Sequence, residues 1–128
     1  MIWTCQLPLD PPGKGNAHAI GRNGKIYSGR GVGEFKKNAI MMIRTDSLPA
    51  FALNAKLKLD VRIRYPNYKR DLDIELIADV LQLAGVVHND RQFRIKHAES
   101  EDEVGEPMIW ITITEVGVLP WKPKVGKR

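Results

Sequence analysis

An α+β domain, with a mixed sheet of four to five strands and two main helices packed on it, is the fold the sequence predicts. Residues 57–65 alternate without a break, setting Leu57, Leu59, Val61, Ile63 and Tyr65 against Lys58, Asp60, Arg62 and Arg64. Residues 108–116 repeat that period, with Ile109, Ile111 and Ile113 against Trp110, Thr112 and Thr114. A period of two belongs to a strand with one buried face. Residues 34–45 and 74–84 carry their apolar side chains at helical spacing instead. Helices supplying one cover layer over a half-apolar sheet give a two-layer domain. The 128 residues suffice for one such domain with its own core.

Taken in order, residues 1–7 are strand-like and stop at Pro8 and the Pro11–Pro12 pair. Residues 13–33 are rich in Gly and basic side chains, among them Lys14, Arg22, Lys25 and Arg30, and contain neither a Walker-type nor a GxGxxG pattern. Two readings of this stretch stand side by side: a basic loop whose backbone approaches a phosphodiester closely, and a plain hairpin-like connection. In 34–45, Phe35, Ala39, Met42 and Ile43 share a helical face, and Pro49 ends the helix soon after.

The 74–84 helix shows a broad apolar arc. Extending it back to Asp73 would aim a carboxylate into that arc, so Asp73 belongs at the N-cap and Gly85 at the C-terminal stop. Beyond the turn at 86–90, Phe93, Ile95 and His97 are expected on one strand face, which makes His97 a half-buried strand residue. The tail from 117 to 128 carries Trp121 among Pro and basic residues. It has too little apolar surface to fold alone and is expected to be an arm beyond a domain spanning 1–116. Stacking of Trp121 on a base and ordinary packing are both compatible with it.

Composition narrows the chemistry. Twenty Lys plus Arg against fifteen Asp plus Glu leave a net charge of +5, compatible with a polyanionic partner. The acids are unevenly spread: Glu99, Glu101, Asp102, Glu103 and Glu106 fall within 99–106. A single cysteine, Cys5, excludes an internal disulfide and fits a reducing cytoplasm. Cys5 with the scattered His18, His88 and His97 has no zinc spacing. No apolar run long enough to span a membrane and no secretory leader pattern are found, so a cytoplasmic location is expected.

The chemically pointed stretch is Lys69-Arg70-Asp71-Leu72-Asp73, followed after the helix by Asn89-Asp90. In extended backbone Asp71 and Asp73 project to the same side. Carboxylates so close repel unless one is protonated or a cation lies between them. A hard divalent cation with a few aspartates and water satisfies that condition. The competing reading is that Asp73 simply caps the helix.

With those residues in view, the chain resembles the RusA family of Holliday junction resolvases, small Mg²⁺-dependent endonucleases common in prophages. The likeness rests on Arg70-Asp71-Leu72-Asp73 after a strand, the helix and Gly turn, Asp90 with Gln92 beyond it, and the closing Ile111-Thr112-Ile113-Thr114-Glu115 strand. The opening Leu7-Pro8 and Pro11-Pro12 before a basic Gly-rich loop extends it, so it runs from about residue 5 to Glu115.

The resemblance implies that Asp71, Asp73 and Asp90 are catalytic and hold Mg²⁺, with Mn²⁺ as a substitute. It also implies that a homodimer makes paired nicks in four-way DNA junctions during recombination and repair. Two features depart from the family. Ile74 stands where an Asn is usual, and Glu75-Leu76-Ile77-Ala78 occupies the turn that usually carries a catalytic Lys. Lys69 is the candidate to supply that charge. Lys14, Arg22, Lys25, Arg62, Arg64, Lys69 and Arg70 are the expected DNA contacts. A scaffold that binds branched DNA and cuts it weakly or not at all is the alternative.

Overall fold

The computed structural model describes residues 1–13, 18–20, 26–28 and 31–126, with side chains described outside 14–30. Strands β1 (Ile2–Leu7), β2 (His18–Ile20), β3 (Ile26–Ser28), β4 (Ala55–Arg64), β5 (Phe93–Ser100) and β6 (Met108–Val118) accompany helices α1 (Val32–Thr45) and α2 (Ile74–Leu83). The main sheet has the order β1-β6-β4-β5. β6 runs antiparallel to both β1 and β4, whereas β5 lies parallel to β4. The sheet is therefore mixed, as the sequence predicts. β2 and β3 form a separate antiparallel pair.

The alternation in β4 becomes burial: Leu57, Leu59, Val61 and Ile63 are buried, while Arg62 on the opposite face is exposed. Ile109, Ile111 and Ile113 of β6 join them in one core with Phe35, Ala39 and Ile43 of α1 and Ile77, Val80 and Leu81 of α2. Each Val, Leu, Ile or Phe side chain among them removed from water contributes roughly 1.5–3 kcal/mol. A 2.7 Å ion pair between Lys36 and Asp79 ties α1 to α2. Arg44 Nε donates to the carbonyl of Ala84 at 3.3 Å, serving the C-terminal end of α2. Gly85, at φ 84°, turns the chain there as a residue with a β-carbon rarely does. No helix among the described residues is long and apolar enough to cross a membrane.

Two expectations change. Phe93, Ile95 and His97 do not share a face. A bulge pairs Phe93 with Leu57 but Ile95 with Lys58 and His97 with Asp60. One extra residue reverses every side chain beyond it, so Lys96 takes the inner side. His97 is exposed, its side chain at 61 %. The tail, expected as an arm, packs back on the domain as far as it is described. β6 runs on to Val118, Leu119 and Pro123 are buried, and the Gly126 amide donates to the His88 carbonyl at 2.6 Å.

Candidate functional site

The loop from 65 to 73 leaves the C-terminal end of β4 and delivers the chain to α2, and it is pinned along its length. The Tyr65 hydroxyl donates to the Asp71 carbonyl at 3.4 Å, and the Asn67 side chain accepts from the Lys69 amide at 2.9 Å. Arg70 pairs with Asp10 at 2.9 Å and donates to the Pro11 carbonyl at 3.4 Å. A β-carbon on Gly13 would meet the Asp71 amide nitrogen at 3.4 Å, so the Pro11-Pro12-Gly13 segment lies directly along Arg70–Asp71. Asp73 accepts from the Leu76 amide through Oδ1 at 3.1 Å, which is the predicted N-cap. The capping and ligand readings are compatible, because one carboxylate oxygen is left over.

Electrostatically this corner is acidic. Burial, then Asp10, with Asp73 and Asp71 adding to it and Arg70 opposing, pushes the Tyr65 phenol up to about 12. Asp10 is the neighbour that sequence reasoning missed; no spacing rule connects it to the motif. Among the described residues its buried Oδ1 has no hydrogen-bond partner, although Oδ2 holds Arg70. A buried carboxylate oxygen without a partner adds to the negative charge that Asp10, Asp71 and Asp73 together exert on Tyr65.

Asp90 lies elsewhere. Its amide donates to Gln82 Oε1 at 2.8 Å, at the far end of α2 from Asp73. Nine residues of helix at about 1.5 Å per residue separate those ends by roughly 13 Å. Among the described residues, no three His, Cys, Asp or Glu side chains gather closely enough to hold a metal ion. The expected convergence of Asp71, Asp73 and Asp90 is therefore not achieved within one chain. The physical reason is the βαβ connection: α2 returns the chain along β4, so β5 begins at the opposite end of the sheet from the loop where β4 ends.

The basic candidates also sort themselves. Lys69 is exposed and takes no part in an ion pair among the described residues. Arg70 is committed to Asp10. Arg62 stacks on Trp110, 4.5 Å from its ring centroid, and pairs with Glu101 at 3.2 Å. Arg64 lies 5.4 Å from the same ring and donates to the Glu106 carbonyl at 2.7 Å. The face of β4 that reads as cationic is thus partly neutralised by the acidic 99–106 segment. Lys14, Arg22 and Lys25 fall outside the described residues.

The structural roles of two further residues escaped the sequence reading. Gln92 is wholly buried and makes four bonds: Oε1 accepts from the His88 and Asn89 amides at 2.9 and 3.2 Å, and Nε2 donates to the Ala52 and Ala55 carbonyls at 2.8 and 3.2 Å. It fixes the turn that carries Asp90. Lys96, turned inward by the bulge, reaches Glu75 at 2.8 Å and so brings an ammonium group to the first turn of α2.

A small α+β domain with an aspartate pair ahead of a helix on its mixed sheet is the class these features define. No family model matches the chain. It is similar to the crossover junction endodeoxyribonuclease RusA of Aquifex aeolicus (strain VF5), 26 % identical over 115 residues that cover 88 % of each chain.

Proposed function

We propose that this protein is a metal-dependent, structure-specific DNA endonuclease that resolves four-way junctions, acting as a homodimer. The observation that carries the reading is the likeness to a crossover junction endodeoxyribonuclease over 88 % of both chains. The Asp71-Leu72-Asp73 segment, held rigidly ahead of α2, is consistent with it.

One chain offers Asp71 and Asp73 at one end of α2 and Asp90 at the other, so the Mg²⁺ assignment rests on two copies. A two-fold operation can set the Asp71/Asp73 end of one copy against the Asp90 end of the other. Two such composite sites match the two nicks that a roughly two-fold junction requires. A divalent cation held by those carboxylates supplies charge neutralisation for phosphodiester hydrolysis, and Mn²⁺ is the expected substitute. The chain's own part is positional. Asp73 is oriented by the Leu76 amide, Asp71 by the anchored backbone at Tyr65 and Gly13, and exposed Lys69 offers a cation to a non-bridging phosphate oxygen. Arg70, committed to Asp10, holds the loop in place instead of leading the contact with DNA.

The test is cleavage of a synthetic four-way junction by purified protein in Mg²⁺ or Mn²⁺, with linear duplex as control. Paired nicks near the branch point, lost in Asp71→Asn, are expected. Tight, salt-sensitive junction binding without nicks under either metal would replace this reading with a branched-DNA-binding protein on the same scaffold. The separation of Asp90 from the aspartate pair within one chain is the observation that keeps that second reading in play.

A further inference from the structure

The tail builds a second basic surface, at the Asp90 end of the sheet. Residues 119–126 fold back over the turn between α2 and β5, held by the Asn89 side-chain amide donating to the Lys124 carbonyl at 2.8 Å and by the Gly126 amide. A cavity of about 640 Å³ opens there, lined by Asp90, Arg91, Trp121, Lys122 and Lys124 among others. Arg94 sits over the Trp121 ring, 5.7 Å from its centroid, and Trp121 remains 40 % exposed. Arg91, Lys122 and Lys124 have no acidic partner among the described residues, whereas Lys36, Arg62, Arg70 and Lys96 each have one. Among the described lining residues Asp90 is the one acid, against three cations.

We infer that this tail pocket binds an unstacked nucleotide of single-stranded or branched DNA, with the base against Trp121 and the flanking phosphates on Arg91, Lys122 and Lys124. The chemistry fits that partner. An aromatic face accepts any base, and cations without an acidic partner, with the backbone of Arg91 and Lys124 already hydrogen-bonded, meet a phosphodiester with little further ordering. Arg94 on the ring adds a cation–π contact that holds the indole in place. The cavity is of a size suited to a small ligand such as a nucleotide. The inference is linked to the proposed junction reading through the shared DNA partner, but the binding chemistry is testable without a junction.

The experiment titrates the full chain with a short single-stranded oligothymidylate, reading both tryptophan fluorescence and the anisotropy of a labelled oligonucleotide. Saturable quenching is expected, absent in Trp121→Phe although that variant keeps its affinity within a few-fold. Trp121→Ala should weaken binding about tenfold, the size of one lost stacking contact. Replacing Lys122 and Lys124 together by Ala should lower the slope of log K against log salt by about 1.4, or about 0.7 per single-strand phosphate contact. Unchanged quenching in Trp121→Phe, or unchanged affinity in Trp121→Ala, overturns the proposal. The two readings fail separately. Trp121-dependent oligonucleotide binding in a protein that neither binds nor cuts junctions removes the resolvase reading alone. Junction cleavage with no response to Trp121→Ala in either assay removes the tail pocket alone.

Discussion

At the level of single residues, Asp73 has two roles that substitution can separate. Asp73→Asn keeps an oxygen for the Leu76 amide and should change stability by less than about 0.5 kcal/mol, whereas Asp73→Ala loses the cap and should cost about 1 kcal/mol. Both should abolish nicking if the carboxylate serves the reaction, so urea unfolding and junction cleavage on the same pair of variants resolve the roles. Gln92 is the strictest structural residue. Gln92→Leu keeps the bulk but orphans two amides and two carbonyls, and should cost at least about 2 kcal/mol by urea unfolding. Tyr65 gives a pH signature. Its phenol rises from 10.0 to about 12 in the folded chain, so above pH 10 the unfolded state gives up the proton first. The stabilisation is complete below pH 10 and is lost as pH rises towards 12, by on the order of 2 kcal/mol. Tyr65→Phe should flatten that part of the stability profile. The Asp73 cap was legible because capping is a local rule; Asp10 and Gln92 were not, since their partners lie far away in sequence.

At the level of elements, periodicity identified β4, β6, α1 and α2, because each buries one regular face. It failed at β5, where composition gives no sign of the bulge that exchanges His97 for Lys96 on the inner side. It also failed at the tail, whose attachment depends on a few backbone hydrogen bonds and on buried Leu119 and Pro123 instead of on a periodic face. Ending the chain after Leu119 should therefore lower stability modestly, by about 1–2 kcal/mol for the lost hydrogen bonds and packing. Thermal or urea unfolding of the shortened chain measures this. The same truncation should leave the Lys69–Asp73 loop intact, since that loop is held by Tyr65, Asp10 and Gly13.

At the level of the whole molecule, the motif aspartates and their placement on either side of α2 were readable, but their separation was not. Sequence spacing records how many residues intervene; it does not record that α2 carries the chain back along the sheet. If each site draws Asp71 and Asp73 from one copy and Asp90 from the other, inactive variants can rescue one another. Asp73→Asn mixed with Asp90→Asn should regain single-strand nicking, because half of the sites in the mixed dimer contain only native carboxylates. Sites built within one chain would gain nothing from mixing. Gel separation of nicked and fully resolved junctions reads the outcome directly.

The last described glycine gives position 126 a reach beyond its size. A β-carbon there would strike the Gln82 amide, the group that receives the Asp90 N–H. Because Gln82 is a flexible side chain, it would swing aside at little thermodynamic cost, and Asp90 would lose one of the contacts that hold its backbone. Sequence drift at the chain's extremity would then leave the melting temperature almost unmoved while loosening an acidic group that the proposed chemistry needs held still.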